Sequence, residues 1–214
     1  MKLIAFDLDG TLCNTLKDIT DSLNRALVAS GFPTFSDEEV CAMVGKSIDY
    51  MCQRAMKKGH ENDWEPVRDR YYWDYSRHLC DHTRPYEGIL DLIRELKQRG
   101  YLLAVVTNKP HAHAVSIVST VFPHHGDDFS QVQGQAKKFE LKPHPQSFEF
   151  VLNHLRVNKE DVIYVGDSDV DVSFAKNTGV RFVGVDWGFR GEAHLRAAGA
   201  ETIIYHPMEL LDVL

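Results

Sequence analysis

The apolar run 3–6 (Leu3, Ile4, Ala5, Phe6) breaks directly into Asp7-Leu8-Asp9-Gly10-Thr11. Apolar residues without alternation read as a parallel strand covered on both faces, here within residues 1–12. From 15 to 84 the pattern is helical throughout. Leu16, Ile19, Leu23, Ala26 and Leu27 recur at three- and four-residue steps, and Gly31 can end that helix. Ser36 and Glu39 have the spacing of a capping box. Gly45-Lys46-Ser47 interrupts the next helical pattern, and 64–79 reads as another helix, rich in aromatics and arginine. Pro85 and Gly88 mark a return to alternation. Helices are expected at 89–98, 112–120, 146–155 and 170–177. Strands are expected at 102–106, near Phe129, and at 162–165, 181–185 and 202–204. This order predicts an α/β fold: a Rossmann-like parallel sheet with helices on both faces, interrupted after its first strand by an all-helical insertion. Residues 1–14 and 85–214 would form the core domain, and 15–84 a helical cap domain.

Composition narrows the class. The 214 residues suit one domain with a sizeable insertion or two small ones. With 43% hydrophobic and 26% charged residues, the balance is that of a globular protein in water. A net charge of -7 creates no general attraction to nucleic acid or anionic membranes. No apolar run approaches the ~20 residues of a membrane span. Lys2 is followed by only four apolar residues before Asp7, so no signal peptide is expected. Cys13, Cys41, Cys52 and Cys80 lack Cys-x-x-Cys spacing and read as reduced, packing thiols of a cytoplasmic protein.

The candidate chemistry lies at strand ends, where open α/β sheets bind ligands. Asp7 and Asp9 repel each other unless a cation neutralises them. Thr107 and Asn108 end the run 102–106, and they offer a hydroxyl, an amide and backbone N–H groups at the head of a helix, a natural phosphate cradle. Lys142 precedes Pro143 in a loop, and Gly166-Asp167-Ser168-Asp169-Val170-Asp171 closes a third strand. An EF-hand reading of that acidic stretch fails, because Val172 and Thr178 stand where the motif needs Gly and Glu. The pairs His111/His113 and His124/His125 lack zincin spacing and read as solvated loop histidines, with His111 close behind Asn108.

Asp-x-Asp, then Thr, then Lys, then Gly-Asp-x-x-x-Asp, each at a strand end, resembles the haloacid dehalogenase superfamily of phosphohydrolases. The likeness runs through the chain. The segments 78–88, 184–190, 198–200 and 207–210 resemble the phosphoglycolate phosphatase-type members, and the helical insertion resembles their small cap. Asn14 stands where relatives often carry an aspartate, so it receives no catalytic part. A receiver-like phospho-aspartate switch uses a similar set of residues, but places its acceptor on a later strand and lacks the insertion. Dehalogenases lack the second acid. Pyrophosphatases, nucleotidases and phosphosugar mutases of the superfamily remain alternatives.

The resemblance implies a Mg2+-dependent phosphatase acting on small phosphate monoesters through an aspartyl phosphate. Asp7 would be the nucleophile, and Asp9 the acid and then the base. The metal ligands would be Asp7, the Asp9 backbone carbonyl and Asp167, with Asp171 and Thr11 in support. Lys142 would neutralise the phosphoryl oxygens, and Thr107 and Asn108 would bind them. Leaving-group choice is expected from the insertion, where Lys46 could pair with a substrate carboxylate while Gly45 permits close approach. The expected partner is a small phosphorylated metabolite, with no nucleic acid or membrane, and the chain a monomer or homodimer.

Overall fold

A computed structural model describes residues 2–56, 58–122 and 128–214. β1 (Leu3–Phe6) is buried along its length and pairs in parallel on both sides, with β4 (Leu102–Pro110) and β6 (Val162–Gly166). β5 (Phe129–Gln135), β7 (Arg181–Val185) and β8 (Ile203–Ile204) extend it to a six-stranded sheet of order β5-β4-β1-β6-β7-β8, parallel throughout. The side-chain period of two explains the unbroken apolar run. Ile4 and Phe6 enter one core cluster, and Leu3 and Ala5 enter another on the opposite face. α5 (Ile89–Gln98) and α6 (His111–Val121) cover the first face; α7 (Gln146–Leu155) and α8 (Asp169–Thr178) cover the second.

Between β2 (Cys13–Asn14) and β3 (Arg84–Pro85) the chain is helical. α1 (Leu16–Ala29) buries Ile19, Leu23, Ala26 and Leu27 against α2 (Asp37–Cys41) and α4 (Trp64–Tyr75), and α3 (Ile48–Arg54) packs on α4. The Ser36–Glu39 capping box forms, and Ser47 caps α3. Gly31, at φ +79°, closes α1 by donating to the Val28 carbonyl.

Four local expectations are corrected. β2 and β3 pair antiparallel at the two ends of the helical segment; two-residue strands leave no periodic trace, and Pro85 is tolerated in an edge ribbon. α4 ends at Tyr75 rather than 79, because the chain turns through Ser76 and His78. β4 runs on through Thr107, Asn108 and Lys109 to Pro110 by pairing with β5. An additional helix, α9 (Gly191–Ala198), follows β7. No helix among the described residues is long and apolar enough to cross a membrane.

Candidate active site

The first strand delivers Asp7 to the site. Its N–H donates to the Val165 carbonyl (2.9 Å), which locks the end of β1 to β6. The Leu8 side chain is buried, and its carbonyl accepts from the N–H groups of Thr11, Leu12 and Cys13, forming the tight turn that presents Asp9. Gly10 holds φ +83° there, and a Cβ on it would lie 2.4 Å from Asp167 Oδ2. Both the backbone angle and the close approach demand glycine.

β6 delivers the second group. Asp167 follows its last residue, and Ser168 caps α8 in a reciprocal pair with Asp171. Asp171 is fully buried, its Oδ2 accepting from Ser168 Oγ (2.6 Å). A Cβ on Gly166 would sit 2.5 Å from the Asp171 Cγ, so the small residue makes room for the acid behind it.

Asp7, Asp167 and Asp171 each offer an oxygen within 4.8 Å of the others. Lys142 lies among them, its Nζ 2.9 Å from Asp7 Oδ1 and donating to Asp171 Oδ1 (2.7 Å) and the Tyr164 hydroxyl (2.8 Å). The Asp7 contact is an ion pair whose angle lies outside that of a hydrogen bond, so Oδ1 has no aligned donor. Burial pushes the Asp7 carboxyl up to about 6, against the pull of Lys142 and with a push from Asp171 and Asp9. Burial, with Asp171 and Asp7 beside it, pushes Asp167 up to about 8. Burial opposes the charge on Lys142, but Asp171 and Asp7 outweigh it and hold the ammonium above its ordinary value. Three buried carboxylates facing one ammonium leave an excess of negative charge. That donor set, all oxygen and with one lone pair aimed at no donor, fits a hard divalent cation.

The loop after β7 closes over the same acids. Thr11 Oγ1 donates to Asp167 Oδ1 (3.1 Å), and the Phe189 N–H to Oδ2 (2.8 Å). Trp187 Nε1 donates to the Thr11 carbonyl (3.1 Å). Gly188 is packed so closely that a Cβ would fall 2.2 Å from the Asp167 Cβ. Nothing in the residue types of 186–190 marked them as part of the site; the glycine between two aromatics was the available signal.

Asp9 faces a cavity of about 60 Å³, lined also by Asp7, Thr107, Lys46, Tyr71 and Tyr75, room for a few waters or a small anionic group. Thr107 is buried within β4, with Oγ1 accepting from the Lys109 N–H (3.3 Å). It does not stand at a helix head: Pro110 occupies the N-cap of α6, because the strand continues beyond residue 106. Asn108 ties two loops together, donating from Nδ2 to the carbonyls of Lys142 (3.1 Å) and Gly45 (3.3 Å) and accepting from the Lys142 N–H (2.7 Å). Lys142 is no solvated loop lysine, being buried. Lys46 is exposed at the cavity rim, its ammonium 4.5 Å over the Tyr50 ring.

Lys109 and Tyr75 escaped the sequence reading. Lys109 is buried and donates to both Asp9 oxygens (2.8 and 3.1 Å) and to the Tyr75 hydroxyl (2.7 Å). His113 also departs from expectation. It is buried in α6 against the Tyr72 and Tyr75 rings, with Nε2 2.9 Å from Ser76 Oγ. Burial, aided by Lys109, pushes its pKa down to about 4. His111 is exposed, and His124 and His125 lie outside the described residues. All four cysteines are free thiols.

The comparisons agree with this geometry. A family model described as haloacid dehalogenase-like hydrolase matches residues 4–185. The phosphoglycolate phosphatase of Haemophilus influenzae is 30% identical over 221 residues, covering 100% of this chain and 98% of its own. That of Mannheimia succiniciproducens is 32% identical with the same coverage. A crystal structure of a predicted phosphoglycolate phosphatase from Haemophilus somnus superposes with a TM-score of 0.91 at 30% identity, covering 100% of this chain and 97% of that one. Another, from Lactobacillus delbrueckii, reaches 0.92 at 28% identity, covering 100% and 98%. Both the matched family and the arrangement of acids and lysine at the strand ends place the chain among the haloacid dehalogenase-like hydrolases.

Proposed function

We propose that the protein is a Mg2+-dependent phosphatase for small phosphate monoesters, with phosphoglycolate or a similar carboxylated ester as substrate. The observation that carries this reading is the buried set Asp7, Asp167, Asp171 and Lys142, of which Asp7 lines one small cavity together with Asp9. The names of the full-length relatives support the choice of substrate.

Asp7, Asp167 and the Asp9 backbone carbonyl would hold Mg2+, which when bound neutralises charge shared between carboxylates and phosphoryl oxygens. The Asp7 carboxylate attacks phosphorus while the bond from phosphorus to the ester oxygen breaks. Asp9 gives its proton to the departing alkoxide. Asp9, now ionised, takes a proton from a water that attacks the phosphoryl group, and the bond to Asp7 breaks to release phosphate. Lys142 keeps the Asp7 carboxylate oriented and places positive charge beside the transferring group. Thr107 offers its hydroxyl to the phosphoryl oxygens, and Asn108 holds the loops that carry Lys142 and Gly45 around them. Asp171 and Thr11 fix Lys142 and Asp167 respectively.

Residues 15–84 act as a cap in this reading, since the β2–β3 ribbon brings both of its ends to one place. Lys46 on its rim would meet the substrate carboxylate. We place the protein in the cytoplasm, acting on free metabolites. The test is a panel of small phosphate esters assayed with Mg2+ and with chelator. Metal-dependent release of phosphate, highest for phosphoglycolate, is expected; equal rates after exhaustive chelation would overturn the metal-bridged mechanism.

A further inference from the structure

Each acid of the Asp7–Asp9 pair has its own buried lysine, and each lysine its own tyrosine. Asp7 lies beside Lys142, whose ammonium reaches the Tyr164 hydroxyl. Asp9 lies beside Lys109, whose ammonium reaches the Tyr75 hydroxyl. The first holder is built entirely within the sheet domain. The second is not: Lys109 belongs to β4, and Tyr75 to α4 in the helical insertion.

The obvious role for a lysine beside a phosphoryl site is to bind phosphate, but the geometry opposes it. An ammonium has three protons to donate, and Lys109 already has Asp9 Oδ1 at 2.8 Å, Asp9 Oδ2 at 3.1 Å and the Tyr75 hydroxyl at 2.7 Å. None is left for a ligand. Lys109 is 6% exposed and Tyr75 1%, so both are largely withdrawn from bulk water and held by these partners. The end of α4 is registered independently, since Ser76 bonds to His113 of α6 and the Tyr72 and Tyr75 rings pack on that imidazole. Tyr75 is therefore set against Lys109 only while α4 is seated on the sheet domain.

We infer that Lys109 is a positioning residue that fixes the Asp9 carboxylate for proton transfer, and that Tyr75 makes this orientation depend on the seating of α4. The inference rests on the acid and base role of Asp9 given above. It ties that chemistry to closure of the helical insertion, because an unseated α4 removes the third partner of the ammonium and frees the Asp9 carboxylate to rotate.

Rapid-mixing kinetics with p-nitrophenyl phosphate and Mg2+ separate the two half-reactions. The burst of p-nitrophenolate reports attack by Asp7, where this leaving group needs little protonation. Steady-state turnover reports hydrolysis of the phosphoenzyme, which needs the base. For Lys109→Met, steady-state turnover should fall at least about tenfold more than the burst rate, with phosphoenzyme accumulating and KM falling along with kcat. Tyr75→Phe, which removes one hydroxyl from a buried ring, should show the same split to a smaller extent. Should Lys109→Met fail to fold, Tyr75→Phe decides alone. Equal losses in both phases, a raised KM with kcat kept, or wild-type behaviour would overturn the inference. Asp9→Asn, run in parallel, separates the failures. If it too lacks the split, the role of Asp9 is wrong; if it shows the split and the Lys109 and Tyr75 variants do not, only the positioning role is.

Discussion

Replacing Asp7 by Asn should stabilise the metal-free protein while abolishing its turnover. In the fold the Asp7 carboxyl sits at about 6 against an ordinary 3.8, raised by burial and by its acidic neighbours despite Lys142. An acid whose folded pKa is raised binds more protons folded than unfolded between those two values. Its penalty is absent below about 4, grows through the interval and is complete above 6. Two units at 1.36 kcal/mol each make ionised Asp7 cost the fold about 3 kcal/mol at pH 7, and about 1.5 kcal/mol at pH 5. Asn carries no charge and avoids this cost, while Lys142 keeps Asp171 and Tyr164. Thermal unfolding in chelator should therefore show the variant melting about 6–10 °C above wild type at pH 7, with the gap narrowing toward pH 5. Added Mg2+ should close or reverse the gap, since wild type gains binding free energy, about 2.7 kcal/mol at a hundredfold excess over Kd, and the variant lacks a ligand. A variant less stable than wild type in chelator at pH 7, or a gap that widens as pH falls, would refute the reasoning. Retained phosphatase activity would refute the nucleophile.

Asp167→Ala should lose Mg2+-dependent activity by at least about a hundredfold, which titration of activity against Mg2+ checks; rescue at high metal would point to weakened binding alone. Asp9→Asn should lose more activity on alkyl phosphates than on the burst phase of p-nitrophenyl phosphate, and wild-type turnover on phosphoglycolate would count against its role as acid and base. Lys46→Ala should lower kcat/KM for phosphoglycolate about 10- to 150-fold more than for p-nitrophenyl phosphate, the worth of a charge-assisted hydrogen bond in a closed site. Gly188→Ala should destabilise by about 1–3 kcal/mol and weaken Mg2+ binding, because its Cβ would have to displace Asp167; denaturant titration with and without metal measures both.

Much of the architecture was legible in one dimension, because local patterns carry it. A four-residue apolar run without alternation, broken at once by an Asp-Gly turn, reads as a strand buried on both faces, and Leu3–Phe6 is one. The 36–39 capping box and the helices Ile89–Gln98 and Gln146–Leu155 are written in residues within a turn or two of each other. The strand ends announced Asp7, Asp9, Thr107 and Asp167 as candidates, since acids there face the place where such sheets bind ligands, and Lys142 joined them as a loop lysine in the ordered set of motifs. What tertiary structure alone decided is pairing across distance. That β4 runs to Pro110 follows from β5 lying beside it, and no residue in 107–110 says so. Lys109 read as an ordinary lysine next to a proline until α4, more than thirty residues earlier, brought Tyr75 to it. His113 passed for a loop residue until two tyrosines and Ser76 enclosed it. Gly166 opens the Gly-Asp-x-x-x-Asp motif and Gly188 stands between two aromatics, but neither pattern gives the reason, which is that an aspartate from another turn occupies the space each side chain would take. A sequence records which groups are available and which local conformations they favour. Burial and close approach depend on segments that meet only after folding, and those two quantities raise the pKa of Asp7 and Asp167 and orient the acids of this site.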